Sequence, residues 1–160
     1  MSVLYQTMIE GSFESVFHSG VIETPEDFLA AAKNPVNVPV FVFRGHDPIG
    51  FAWLNGLSGN YGFGHFCFLN TAWGNETKEA GEMILDYWMA FQDKAGKPLL
   101  DVIVGMIPSD NARAAKYVKK LGFVRSGSIP GMLRSAYTGK KMAAEIFYKE
   151  RAEPFLKIVA

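Results

Sequence analysis

Residues 98–123 read PLLDVIVGMIPSDNARAAKYVKKLGF. The stretch opens as a strand. Leu99, Leu100, Val102, Ile103, Val104, Met106 and Ile107 form a nearly unbroken apolar run, with Asp101 the exception. Such a run predicts a central strand over Leu99–Ile107, buried on both faces of a mixed or parallel sheet. Pro108 ends the ladder because it has no N–H to give. Ser109, Asp110 and Asn111 are each able to cap a helix. Ala114, Val118 and Leu121 then line one helical face, and Lys119 and Lys120 suit the negative helix end. Gly122 supplies a left-handed stop. The chain passes from a buried strand to an open helix N-terminus with an asparagine at the junction. In open sheets the crevice beyond such a strand end is the usual ligand site. Taken alone, Asn111 also reads as a plain cap and Gly122 as a plain stop.

Asn111, Ala114 and Leu121-Gly122-Phe123 resemble the N-x-x-A … L-G-F segment of the GNAT superfamily of acetyl-CoA-dependent N-acetyltransferases. The resemblance implies that this helix follows the fifth strand of the fold. It also implies that Asn111 faces the pantetheine arm of the cofactor.

Composition bounds the rest. The 160 residues suit one domain, 1–160, with a sizeable core. At 49% hydrophobic and 14% aromatic the chain is globular, not disordered. With 16 basic and 16 acidic side chains the formal charge is zero, which argues against nucleic acid or an acidic membrane as partner. The single cysteine, Cys67, excludes an intrachain disulfide. Flanked by Phe66 and Phe68, it reads as a small buried hydrophobe; a nucleophile wants an exposed, electropositive setting. No signal peptide is visible, and no apolar run approaches the roughly 20 residues that cross a membrane. Cytoplasmic residence is the default expectation, and a phage-coded or virion protein would read the same way.

The remaining elements follow in order. Ser2 to Ile9 reads as a short strand and Phe13 to His18 as a short helix. Thr24-Pro25-Glu26-Asp27 is a clearer helix start, with a good cap, a proline at the first position and acids in the first turn. Asn34-Pro35 stops that helix. Val38 to Arg44 is a strand, Gly45 to Pro48 a turn, and Ile49 to Leu57 the return strand. After a turn over Ser58 to Gly62, Gly64 to Leu69 is a third strand, with His65 and Cys67 on the face opposite Phe66 and Phe68. Asn70 to Asn75 is a loop. Ala80, Met83, Ile84, Tyr87, Trp88 and Phe91 then recur at helical spacing. After Phe123 comes Val124 to Leu133, broken by Gly127, Pro130 and Gly131, and then a last strand over Ala143 to Arg151. This is the GNAT order of elements. The resemblance implies an α/β (α+β) fold with a mixed central sheet of about seven strands flanked by about four helices.

Members of that superfamily grip the cofactor's pyrophosphate with a loop patterned Q/R-x-x-G-x-G/A. The physics is that of a helix N-terminus, where free N–H groups and a positive dipole end meet phosphate. Aligning the apolar helix puts this loop at Glu76-Thr77-Lys78-Glu79-Ala80-Gly81, where Gly81 alone fits clearly. Glu76 replaces the basic or amide position and Glu79 the first glycine. Lys78 partly compensates. A second register puts Gly74 in the loop. Acids in a first helical turn are also simply good helix chemistry. The expected cofactor-binding residues are Leu69, Asn70, Thr71, Thr77, Lys78, Glu79, Ala80, Gly81, Asn111 and Ala114.

Many members place a tyrosine seven residues after the helix asparagine, where it protonates the departing thiolate. That position is Val118, and Tyr117 lies one residue earlier, about 100° round the helix. Tyr117 is the expected acid. His65 is the expected base, since an imidazole titrates near neutrality, although it also reads as a satisfied strand residue. A backbone N–H near Leu69 is the expected oxyanion donor, as in the family.

Two functions follow. One is transfer of acetyl from acetyl-CoA to a primary amine, on a small molecule or a peptide, by direct attack in a ternary complex. The alternative is a catalytically inactive GNAT-fold binding or structural module, phage-encoded or cellular, presenting Trp53, Tyr61, Phe63 and Trp73. Nucleic acid, membrane and metal are not expected; a homodimer is left open. No G-x-S-x-G, H-E-x-x-H, phosphate-loop or Cys/His metal pattern is present.

Overall fold

A computed structural model describes Tyr5, Ser19 and residues 21–152. The expected first strand and the short helix Phe13 to His18 lie outside the described residues. Tyr5, from within the expected strand, is helical.

Among the described residues the sheet has six strands: β1 (Val38–Arg44), β2 (Asp47–Ser58), β3 (Tyr61–Phe68), β4 (Val102–Pro108), β5 (Val124–Arg134) and β6 (Lys141–Glu150). Their order is β1-β2-β3-β4-β6-β5. β4 is central and pairs on both sides, parallel with β3 and antiparallel with β6. The α-helices whose extent falls within the described residues are α1 (Pro25–Lys33), α2 (Asn75–Met89) and α3 (Ala112–Lys120). None is long and apolar enough to cross a membrane.

α1 begins as its sequence dictates. The Thr24 hydroxyl accepts from the Asp27 N–H at 3.1 Å, and the Asp27 carboxylate accepts from the Thr24 N–H at 3.0 Å. This reciprocal capping box satisfies two otherwise orphaned donors.

The strands alternate cleanly between two cores. Ala52 and Leu54 of β2, with Phe66 and Phe68 of β3, face α2 and α3 and pack with Trp88, Ile103, Leu121 and Phe147. Phe51, Trp53, Cys67 and Leu69 face the other way, onto Phe28 of α1. Phe28 meets the Phe51 ring edge-on at 4.9 Å.

Several boundaries differ from the sequence expectation. The turns either side of β2 shrink to two residues each, because pairing runs out to Arg44↔Asp47 and Ser58↔Tyr61. Pro48 sits inside β2 next to the register shift that leaves Ile49 out of the pairing with β1, and its missing N–H is tolerated at such a bulge. β4 starts at Val102, since Leu99 and Asp101 give their N–H groups to Phe91 and Asn60. β5 is continuous: its glycines and Pro130 are absorbed by two register shifts on the sheet edge.

Candidate active site

β3 and β4 pair through Tyr61↔Val102, Gly62↔Ile103 and Phe63↔Val104, and there the ladder stops. The rest of each strand runs on to its own helix, β3 to α2 and β4 to α3. A cavity of about 340 Å³ opens at this parting. Phe66, Cys67 and Phe68 of β3 form one wall. Trp73 and Gly74 of the connecting loop, with Thr77 and Lys78 of α2, form the second. Asn111, Arg113, Ala114, Lys116, Tyr117 and Lys120 of α3 form the third.

Local rules position these groups. Gly74 caps α2 at φ 144°, a conformation that favours glycine, and it brings no side chain to the first-turn donors. Those N–H groups have no intrahelical acceptor and look outward from the helix end. Asn111 caps α3: its Oδ1 accepts from the Ala114 N–H at 3.0 Å. Its plain capping role is therefore real, and the same residue borders the cavity.

The loop expected at Glu76–Gly81 is helix, because α2 already begins at Asn75. Gly74, which belongs to the second register, is the residue that caps this helix. Thr77 and Lys78 border the cavity; Glu79, Ala80 and Gly81 do not. Gly81 serves packing instead, since a Cβ there would stand 2.2 Å from the Tyr117 hydroxyl and 2.9 Å from Leu121. Asn70 and Thr71 are the exposed residues of a 3-10 turn (Asn70–Ala72) and lie off the cavity wall. Leu69 is buried, and its N–H donates to the Ile49 carbonyl at 2.9 Å. That N–H is engaged within the sheet, so among the N–H groups near Leu69 it is not the one open to an oxyanion. Strand alternation turns the backbone groups of Phe66 and Phe68 the other way, toward the parting.

Charge is sorted across the site. Glu76, which looked repulsive to a phosphate, is drawn aside by Arg44, whose Nε donates to it at 2.8 Å and whose second nitrogen binds its other oxygen. This pairing holds the Glu76 carboxyl below the usual carboxylate range. Lys78 donates to Glu82 at 2.6 Å. The wall carries Lys78, Arg113, Lys116 and Lys120 and no acid.

Tyr117 points into the cavity, and Val118 is 6% exposed in the core. Tyr117 packs edge-on against Phe66 and Phe68, and its hydroxyl donates to the Thr77 carbonyl at 2.8 Å. Burial, helped by Glu82, pushes its pKa up. His65 stands apart on the opposite face of β3. It bonds Asn55 Oδ1 at 3.1 Å and lies edge-on to Trp53. The structure therefore does not bring His65 and Tyr117 together. Sequence reasoning named Trp73 for the alternative binding surface and did not single out Phe66, Phe68, Arg113, Lys116 or Lys120; the basic spacing 113, 116, 120 on one helix face was the signal that could have found the last group.

A central strand parted from its parallel neighbour, with a helix N-terminus at each lip, defines the GNAT fold. Solved structures agree. Over 94% of its length the chain is similar to 86% of a protein described as "Probable acetyltransferase", with a TM-score of 0.71 and 13% identity. Over 86% of its length it is similar to 82% of the spermidine N-acetyltransferase from Vibrio cholerae in complex with CoA and spermine, with a TM-score of 0.68 and 13% identity. No family model and no curated protein sequence matches it.

Proposed function

We propose that the protein transfers acetyl from acetyl-CoA to a primary amine, on a small molecule or a peptide, by direct attack in a ternary complex. One observation carries this reading: the cavity joins two helix N-termini at a parted β3–β4 pair, and its walls are basic and free of acid. Similarity to an N-acetyltransferase in complex with CoA and spermine supports it. The bound thioester supplies the activated acyl group. Around it this chain offers fixed groups. The open first turn of α2, with Lys116 and Lys120, suits phosphate oxygens. Backbone groups of Phe66 and the N–H of Phe68, whose carbonyl already accepts from Trp73, suit an extended amide-bearing arm. Asn111 and Ala114 flank the same path.

Tyr117 holds a proton at its oxygen, because its raised pKa keeps the phenol neutral well above physiological pH. A departing thiolate is a stronger base than the Thr77 carbonyl that the hydroxyl now meets, so Tyr117 is the acid in this reading. His65 is the base for an amine approaching from the α1 face.

The non-catalytic reading rests on Val118, a core residue standing where the family's tyrosine is expected. Two measurements separate the readings. Millimolar acetyl-CoA should raise the melting temperature, by roughly 5 to 10 degrees at a hundredfold excess over Kd. Free thiol should then appear when an amine panel that includes spermidine is added. A melting curve unmoved by acetyl-CoA sinks both the transfer and the cofactor site. A shift without thiol release favours the binding module.

A further inference from the structure

Arg113 stands out among the arginines. Among the described residues Arg44, Arg125 and Arg151 are ion-paired, and Arg134 donates to the Gly139 carbonyl. Among the described residues Arg113 has neither a carboxylate nor a hydrogen-bond acceptor, and it lies over the Trp73 ring, with the guanidinium carbon 3.7 Å from the ring centroid. The indole beneath it is itself held, because Trp73 Nε1 donates to the Phe68 carbonyl at 3.2 Å. Both side chains border the cavity, and so does Gly74, the cap of the open first turn of α2.

Stacking and hydrogen bonding use different parts of a guanidinium. The flat face rests on the ring, and the in-plane N–H groups stay available as a fork. The arrangement therefore fixes the cation without consuming its donors. An exposed ammonium, such as Lys116 or Lys120, brings charge but no fixed plane. The loop, meanwhile, lacks the basic or amide side chain that its pattern calls for, with Glu76 turned away to Arg44.

We propose that Arg113, seated on Trp73, is the residue that recognises the diphosphate of an acyl-CoA and so selects it over acyl-pantetheine. It supplies from α3 the cation missing from the loop before α2. This inference rests on the acyl-CoA reading above.

Calorimetric titration of the whole chain tests it, with coenzyme A, dephospho-coenzyme A and pantetheine as probes. Wild type should bind both diphosphate ligands more tightly than pantetheine. Arg113→Ala should weaken both by the same factor, about 10- to 100-fold, and leave pantetheine unchanged. Arg113→Lys should behave nearly as badly, since it loses the fork and the stack. Trp73→Leu should give a smaller loss in the same direction, and Trp73→Phe should restore most of it. Melting curves establish that each variant is folded. Unchanged affinity of Arg113→Ala for coenzyme A overturns the proposal alone. So does a loss confined to coenzyme A, which would assign Arg113 to the 3′-phosphate, or an equal loss for pantetheine, which would make it a structural prop. A wild type that binds no coenzyme A overturns this proposal together with the acyl-CoA reading.

Discussion

The Tyr117 hydroxyl donates to the carbonyl of Thr77 at 2.8 Å and so fastens α3 to the first turn of α2 at the cavity wall. The phenol of Tyr117 thereby borders the cavity, while its neighbour Val118 completes the core. The same bond holds the α2 turn that borders the cavity.

Tyr117→Phe should lower turnover by roughly 10² to 10⁴ and reduce stability by about 1 kcal/mol. The wild-type rate should show no alkaline decline from this group below the ordinary phenol pKa of 10.0. Stability has its own sign. The unfolded phenol ionises near 10.0, while the folded one holds its proton to higher pH. The contribution is therefore intact below that value and is lost as pH rises above it. Melting curves across alkaline pH should be less steep in pH for the phenylalanine variant.

Gly81→Ala should destabilise, although alanine is ordinarily the better helix former by about 1 kcal/mol. The added methyl would stand 2.2 Å from the Tyr117 oxygen and 2.9 Å from Leu121. Overpacking of this kind costs about 1 to 3 kcal/mol. Pairing it with Tyr117→Phe removes the nearer clash, so the double variant should melt higher than the sum of the single effects predicts. Strict additivity would mean the helices simply move apart.

Glu79→Gly restores a family glycine in the sequence pattern, yet it should not tighten coenzyme A binding. Glu79 is helical and off the cavity wall. The expected result is an unchanged Kd and a stability loss of about 1 kcal/mol from glycine in a helix interior. A clear gain in affinity would return the phosphate contact to residues 76–81.

Cys67 should resist thiol reagents until the protein unfolds. Burial pushes its thiol up to about 12, so almost no thiolate exists near neutrality. Ellman's reagent at pH 8 should label it at the unfolding rate, and a ligand that stabilises the fold should slow that rate. Rapid labelling of the native protein would mean that the cavity admits solvent to the sulfur.

The segment Pro98–Phe123 was legible because its signals are local: an apolar run, a proline, a capping asparagine and a terminal glycine. Asn111 and Gly122 occupy the roles their side chains dictate, with Gly122 at φ 84°. The start of α2 was legible as well: the loop reads as far as Asn75, the acids after it mark a first turn, and the helix begins at Asn75. What was not legible is the capping role of Gly74, which looks like any loop glycine in sequence. Arg113 on Trp73 was invisible for another reason. Periodicity describes one element at a time, and this contact joins two elements across the sheet parting. The spent N–H of Leu69 belongs to the same class, since its partner Ile49 lies on the neighbouring strand.

The three-pair seam between β3 and β4 also divides the molecule mechanically. On one side lies the meander β1-β2-β3, and on the other the group β4-β6-β5, each closed by long antiparallel ladders. The seam is fastened at one end, where Asp101 and Val102 give their N–H groups to Asn60, and open at the other. Amide exchange should therefore alternate along β3: slow at Cys67 and Leu69, whose protons face β2, and fast at Phe66 and Phe68, whose protons face the open end. A ligand threaded into that opening would act as a missing strand, and the fast amides would become slow ones.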